Sequence, residues 1–228
     1  MSTENSSVIK ALKFRHATKL FKKDQPITDK DWDTIVKAAQ LSPTSFGLEP
    51  FEIIMLESPE TRELFRDFTW GANGSFQGTK GQIGTAPKFG IITAYNEKRM
   101  RHDAAYLANF LREVKGFDDA GVEAYQGILK NFQLNEFHLE SDKALTNWSG
   151  KQAYIVLANM MTAAADLKID SCPVEGFDMD KTAAVLQDKL GVDMSYQQPA
   201  VMFAFGYRAD DPSTARTRRD ISSFVRTV

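Results

Sequence analysis

The sequence predicts an α+β fold built around a mixed β-sheet, and the order of its elements is the main reason. About four strands and six helices can be recognised, without the regular alternation of a doubly wound parallel sheet. A chain of 228 residues, 43% of them hydrophobic, is long enough for one substantial core. No repeat, low-complexity tract or long linker divides it. We therefore expect one domain over residues 1–228.

Helix signals are clear in the first fifty residues. A short helical pattern covers residues 5–14, with three apolar side chains on one side: Val8, Ile9 and Leu12. Thr28 is a candidate N-cap, and Asp31 three residues later stands where a capping box needs it. The helix that follows should end near Ser42, because Pro43 restricts the backbone of the residue before it.

Compact apolar runs predict the strands. Residues 51–56 and 89–95 are β-prone, and residues 200–207 are apolar enough for the centre of a sheet. Residues 71–84 contain five glycines and should form a shaped loop with one helical turn.

Further helices are predicted in the second half of the chain. An apolar stripe covers residues 106–114, and the apolar run 153–165 indicates a long buried helix. A last helix begins at residues 177–178 and ends at Gly191. Residues 118–140 are weakly patterned, and no element is assigned to them.

Composition and charge exclude several classes of protein. The formal net charge is −2, from 28 basic and 30 acidic side chains, so no overall field favours nucleic acid or an anionic membrane. The polar N-terminus is not a signal peptide, and the apolar run 153–165 is too short to span a bilayer. A single cysteine excludes an internal disulfide framework and indicates the cytoplasm. Because no basic motif adjoins it, we expect Cys172 to be a small buried packing residue.

Signatures of several common enzyme sites are missing. There is no G-x-G-x-x-G turn after a strand, no phosphate-binding P-loop and no G-x-S-x-G nucleophile elbow. The histidines lie far apart without metal-ligand spacing: His16, His102 and His138. We expect no metal site, and any nicotinamide cofactor must bind without a Rossmann turn.

Four short segments remain as candidates for a binding site. Residues 15–19 (R-H-A-T-K) and 216–219 (R-T-R-R) are basic, while residues 42–45 (S-P-T-S) and 173–177 (P-V-E-G-F) form turns. Taken singly, each basic segment also reads as a solvated surface, and each turn as an ordinary change of chain direction. Their order along the chain makes them informative.

In that order and spacing, the segments resemble those of the oxygen-insensitive, FMN-dependent nitroreductases over nearly the whole chain. That family has R-[HR]-[ST]-x-[KR] after its first helix, S-P-[ST]-S after its second, P-x-E-G-F after its long central helix and a basic-x-Arg pair after its last core strand. The resemblance implies a three-layer α/β/α fold with a mixed, mainly antiparallel central sheet. It also implies an intertwined homodimer, with a tail at about residues 209–228 extending to the partner subunit.

The resemblance implies one FMN per active site, two sites per dimer, each at the subunit interface. Arginines suit the FMN phosphate because their guanidinium groups bind phosphate oxygens in a bidentate, charge-assisted way. The residues implied around the phosphate are Arg15, Arg216 and Arg218, with Ala17 beside them, and His16 also belongs to the implied cofactor-binding set.

Further residues are implied around the flavin ring. The backbone N–H groups of Glu175 and Gly176 should face N5, and Lys19 and Lys80 should favour the reduced ring by their charge. The segment 43–45 should come from the other subunit. The full set implied at the ring is Lys19, Pro43, Thr44, Ser45, Gly47, Gln77, Lys80, Pro173, Val174, Glu175 and Gly176.

Some positions depart from the family pattern. Ala17 replaces the usual Ser and removes a hydroxyl group from the phosphate site. Gly47 and Glu49 stand where many relatives have Asn and Gln, and an acid is unexpected beside a ring that becomes anionic. Phe132 and Phe137 lie where relatives carry a helical lid and are candidate substrate-stacking residues, with two core phenylalanines as the alternative.

The resemblance implies a ping-pong oxidoreductase. NADPH or NADH would pass a hydride to flavin N5 and leave, and a small aromatic acceptor, a nitro compound or a quinone, would take two electrons at the same place. No side chain need act as an acid–base catalyst, because the cofactor supplies the chemistry. Two alternatives are a flavin, enal or dihydropteridine reductase with the same fold, and an FMN-binding or sensing protein without efficient turnover.

Overall fold

A four-stranded antiparallel sheet forms the centre of the computed structural model, which describes residues 6–228. Its strands follow the order β1-β2-β4-β3. They are β1 (Phe51–Met55), β2 (Lys88–Tyr95), β3 (Asp170–Val174) and β4 (Gln197–Gly206). The apolar run near the C-terminus is therefore a central strand, as predicted, and β3 lies at one edge.

Nine α-helices accompany the sheet in the described part of the chain. They are α1 (Ser7–Phe14), α2 (Asp29–Gln40), α3 (Pro59–Glu63), α4 (Gly81–Thr85), α5 (Glu97–Met100), α6 (Ala105–Glu113), α7 (Asp119–Asn131), α8 (Asp142–Asp166) and α9 (Met179–Leu190). A π-helical turn, Phe132–Glu136, continues α7. The unassigned residues 118–140 are thus helical over most of their length, and the α+β class is confirmed.

Local signals set several helix boundaries. The hydroxyl oxygen of Thr28 accepts a hydrogen bond from the backbone N–H of Asp31 at 3.1 Å, so the predicted N-cap of α2 is confirmed. Gly191 ends α9 in the left-handed conformation, with φ of 69°, which costs glycine little.

The sheet separates two apolar layers because side chains on successive residues of a strand point to opposite faces. One face carries Ile92, Phe203 and Phe205 and packs against α2 and α8. The opposite face packs against α9 and the segment containing α3 and α4, with these strand residues in its core: Phe89, Ile91, Met202 and Ala204. Helices on both faces make the three layers that the family resemblance implies.

A parallel pairing occurs only once among residues 6–228. It is an isolated bridge between Ala17 and Ser171, along the free edge of β3. All four named strands are antiparallel, so this bridge is the only mixed feature of the described sheet.

Two helices differ from the expected burial. In α1 the buried residue is Ala11, whereas Val8 and Leu12 are 53% and 42% exposed, because the small side chain faces α8. The long helix α8 packs one face on the sheet but leaves Tyr154 and Ile155 each 40% exposed. Within the described chain, no helix has the length and apolar character needed to cross a bilayer.

Candidate functional site

Residues 15–19 run along the edge of β3, starting where α1 ends. The backbone N–H of His16 donates to Asp170 Oδ1 at 2.8 Å, and Ala17 bridges Ser171. Further along, Lys19 Nζ lies 3.4 Å from the sulfur of Cys172. The segment is therefore parallel to β3 and leads from Asp170 towards the turn at 173–177.

The carboxylate of Asp170 organises this edge. It is fully buried and accepts hydrogen bonds from the backbone of His16 and from the hydroxyl of Thr18. It also forms an ion pair with Arg208, whose Nε lies 3.0 Å from Oδ2. A buried carboxylate needs such partners, because an unpaired charge in the interior is costly.

Arg208 connects the end of β4 to the end of α1. Its Nη2 donates to the carbonyl oxygen of Phe14 at 2.7 Å, and its guanidinium lies 4.4 Å from the centre of the Phe14 ring. Sequence reasoning missed both Arg208 and Asp170. A charged residue after a strand usually lies on the surface, but Asp170 inside an otherwise apolar strand was a usable signal.

Arginines from both ends of the chain meet beside this ion pair. Arg216 donates to the carbonyl oxygens of Leu12 and Lys13 at the C-terminus of α1. Its pKa is lowered by burial first, and then by the positive charges of Arg15 and Arg218. Arg216 is therefore close enough to Arg15 and to Arg218 for the positive charge of each to act on it.

One nitrogen in this cluster is unsatisfied. Nη1 of Arg15 is buried and has no hydrogen-bond partner among residues 6–228. Buried donors are nearly always paired, so this atom indicates a missing acceptor. The Arg15 residue also lines a cavity of about 340 Å³, here named the basic cavity, whose lining residues are Lys13, Phe14, Arg15, His16, Arg208, Pro212, Ser213, Thr214, Ala215 and Arg216. Such a lining suits an anion with several oxygen atoms.

The turn at 173–177 is built by close backbone contact. The backbone N–H of Gly71 donates to the carbonyl oxygen of Gly176 at 2.8 Å. A Cβ at position 176 would lie 2.8 Å from the Gly71 Cα and 2.9 Å from Trp70 Nε1. Steric constraint alone therefore requires glycine at 176. The close contact with Gly71 also fixes the position of the backbone of Glu175 and Gly176.

Cys172 lies between the turn and Asp170. It is 1% exposed, as expected of a packing residue. The expectation that no basic group adjoins it is wrong in space, since Lys19 is its neighbour. Residues 15–19 run parallel to β3, and this brings Lys19 beside Cys172. The two residues are 153 positions apart in sequence, so the contact could not be predicted from local pattern.

The glycine-rich loop presents Gln77 and Lys80 to solvent. Three of its glycines have positive φ: Gly74, Gly78 and Gly81. The carbonyl oxygen of Lys80 accepts a hydrogen bond from Arg66. In residues 6–228 no hydrogen bond joins the side chain of Gln77 or Lys80 to residues 15–19.

The segment 42–49 is anchored to α8 instead of to residues 15–19. Gln152 Oε1 accepts a hydrogen bond from the backbone of Ser45 at 2.9 Å, and Asn159 donates to the hydroxyl of Ser42. The backbone turns through positive φ at Phe46, Gly47 and Glu49. Within one chain, residues 15–19 thus contact β3 and Arg216 contacts the end of α1, whereas the segment 42–49 is hydrogen-bonded to α8.

The sequence model of the Nitroreductase family matches residues 12–207. The chain belongs to the nitroreductase family. It is 39% identical to a provisionally named NAD(P)H nitroreductase of Staphylococcus haemolyticus over 93% of both chains. It is also 38% identical to a provisionally named NAD(P)H nitroreductase of Bacillus subtilis over the full length of both.

Solved structures confirm the nitroreductase fold. A nitroreductase-type protein of Exiguobacterium sibiricum, solved in complex with FMN, superposes with a TM-score of 0.73 at 16% identity, over 98% of each chain. An enone reductase of gut-bacterial fatty acid saturation gives a TM-score of 0.75 at 18% identity, over 98% of this chain and 99% of the other.

The two candidate stacking residues form a pair. The rings of Phe132 and Phe137 stack with centroids 4.9 Å apart and an interplanar angle of 21°. Phe132 is half-buried against Phe46 and Trp148 in the cluster of α6, α7 and α8, as the core alternative expects. Phe137 is 49% exposed, so its ring has a free surface.

No group of three or more His, Cys, Asp or Glu side chains able to hold a metal ion occurs among the described residues.

Proposed function

We propose that this nitroreductase is an FMN-dependent NAD(P)H oxidoreductase that reduces small aromatic acceptors such as nitro compounds or quinones. The supporting observation is the cluster of Arg15, Arg216 and Arg218, with Arg15 Nη1 buried and unpaired. A phosphate group in the basic cavity would supply the oxygen acceptors that this nitrogen lacks.

The direction of residues 15–19 also fits FMN. From Asp170 to Glu175 the strand covers about 17 Å at roughly 3.3 Å per residue. A ligand laid along this edge with its phosphate in the basic cavity would have its other end near the 173–177 turn. Residues that would hold the phosphate are Arg15, His16, Ala17, Arg216 and Arg218.

Around the ring, the chain would supply backbone donors and fixed positive charge. When bound, FMN supplies hydride transfer through N5 between NAD(P)H and the acceptor. The N–H groups of Glu175 and Gly176 would face N5, held there by the contact with Gly71. The residues that would hold the ring within one chain are Lys19, Gln77, Lys80, Pro173, Val174, Glu175 and Gly176, with Phe132 and Phe137 beside the acceptor.

We propose a homodimer in which the partner's segment 43–45 completes each site. Within one chain, Ser42 and Ser45 beside and in that segment are hydrogen-bonded to α8. Apolar side chains near α1 and α2 and in the C-terminal tail are available for such an interface: Val8, Leu12, Val36, Leu41, Ile221, Phe224 and Val225. A cytoplasmic location and a single domain over residues 1–228 complete the proposal.

The test is flavin binding followed by turnover. Purified protein reconstituted with FMN should retain a yellow chromophore after gel filtration, and anaerobic NADPH or NADH should bleach it. Nitrofurazone and menadione should then restore the oxidised spectrum, and an enal and free flavin serve as rival acceptors. A colourless protein, or flavin that neither nicotinamide bleaches, would contradict the proposal.

A further inference from the structure

The side chains of Tyr154 and Glu175 form a contact that the proposed chemistry does not use. The Tyr154 hydroxyl, on α8, lies 2.5 Å from Glu175 Oε1 and 3.3 Å from the carbonyl oxygen of Ala200. A phenol has one proton to donate. The shorter distance and the charge of the carboxylate assign that proton to Glu175.

Tyr154 is suited to be a permanent donor. Burial, and then the hydrogen bond to Glu175, raise the pKa of Tyr154 above its ordinary value. The hydroxyl therefore keeps its proton throughout the neutral pH range, and Glu175 is the acceptor in this pair.

Other contacts fix only the backbone of the turn. Gly176 accepts from Gly71, and the N–H of Phe177 donates to the carbonyl oxygen of Glu175 at 2.9 Å. In the described chain, the hydrogen bond from Tyr154 is the only one that holds the carboxylate of Glu175. Without it, a negative charge would be free to move at the turn assigned to flavin N5.

We propose that Tyr154 is a positioning residue for the reaction: it holds the Glu175 carboxylate against α8 and offsets its charge, so that this charge does not oppose reduction of the flavin. The inference rests on the proposed function. Its physical basis is that a nearby like charge disfavours the formation of a second negative charge.

The test compares Tyr154→Phe, Glu175→Gln and the double variant with the wild type. Tyr154→Phe keeps the ring and should shift the flavin midpoint potential to more negative values. It should also slow flavin reduction by NAD(P)H about tenfold, the size expected for one charge-assisted hydrogen bond. Adding Glu175→Gln removes the charge and should restore both values towards those of the wild type. Tyr106→Phe, which removes a hydroxyl far from the turn, is the matched control and should change neither.

A second measurement does not depend on turnover. In the flavin-free protein, amide hydrogen exchange at residues 175–177 should be faster in Tyr154→Phe than in the wild type and unchanged in Tyr106→Phe.

The outcomes separate this inference from the proposed function. If the wild type is reduced normally and Tyr154→Phe matches it in potential and exchange, the inference alone is wrong. If the double variant is as slow as Tyr154→Phe, Tyr154 has only a structural role. A wild type that binds no flavin would overturn the proposed function, and this inference with it.

Discussion

The two ends of β3 are constructed in opposite ways. At the Asp170 end, charged side chains converge from distant segments: Arg216 donates to the carbonyl oxygen of Leu12, 204 residues away in sequence. At the Val174 end, two glycine backbones meet, and the contact leaves no room for a Cβ. The first end has an unused donor on Arg15, whereas at the second the carbonyl oxygens of Glu175 and Gly176 accept hydrogen bonds from the N–H groups of Phe177 and Gly71.

The two ends of β3 should therefore have different roles in the site. Arginines that repel one another are stabilised by an anion, so the basic cavity should determine how tightly the cofactor binds. A turn fixed by steric contact is in place before any ligand arrives, so it should determine where the reacting atom lies. Variants at the two ends should therefore fail in different assays.

The largest expected effect is on stability, from Asp170→Asn. The change leaves Arg208 buried beside a neutral amide and should cost about 3–5 kcal/mol, the range for breaking a buried ion pair from one side. Urea unfolding of the flavin-free protein measures it. Asp211→Asn is the control, because that side chain is 97% exposed and lies 3.9 Å from the same arginine. Equal stability of the two variants would refute the organising role of Asp170.

Next in size is the effect of Arg15→Gln on cofactor binding. Loss of a half-buried guanidinium that pairs with phosphate should weaken FMN binding about 100-fold, by roughly 2–3 kcal/mol. Fluorescence titration of the flavin-free protein gives the dissociation constant. Riboflavin, which lacks the phosphate, should bind both proteins alike, and Arg219→Gln should change FMN binding little. A loss of riboflavin binding as large as that of FMN would show that Arg15 does not act on the phosphate.

The sequence was sufficient to predict features that depend on neighbouring residues, such as helix boundaries. The cap formed by Thr28 and Asp31 and the stop at Gly191 depend on neighbours within one turn, and both are correct. The four site segments were found by their order, and the structure brings both basic segments and the 173–177 turn to one edge of β3.

What could not be predicted depends on contacts between distant residues. The roles of Asp170 and Arg208 exist only once α1 reaches β3. The burial of Ala11 instead of Val8 depends on which face meets α8. Residues 118–140 gave no pattern because much of α7 is exposed and a π-helical turn interrupts the 3.6-residue repeat.

At the opposite end of β3, Gly176→Ala should act on the reaction more than on binding. The added Cβ would press on Gly71, at a cost of about 1–3 kcal/mol of stability, and displace the backbone of the turn. Flavin reduction should slow while the FMN dissociation constant changes little, as stopped-flow reduction and titration can show. Gly127→Ala, at an exposed helical position with open space around it, is the control. Weakened FMN binding with a normal reduction rate would contradict the proposal that the 173–177 turn positions the reacting atom and the basic cavity determines affinity.

The smallest effect is expected midway between the two ends. Cys172→Ala removes one buried group and should cost about 1 kcal/mol of stability, close to the transfer term for a group of that size. The rate of flavin reduction should not change, because packing is the only role assigned to this thiol. A variant that folds and binds FMN but cannot be reduced would instead give the Lys19–Cys172 contact a part in the reaction.

A crystal structure of the protein with FMN would show directly whether arginines from both ends of the chain bind its phosphate. We expect the phosphate in the basic cavity, with its oxygens within hydrogen-bonding distance of Arg15 Nη1 and of the guanidinium of Arg218. We also expect the flavin ring against the backbone of Glu175 and Gly176. A phosphate bound elsewhere, with Arg15 and Arg218 making no contact to it, would contradict the account.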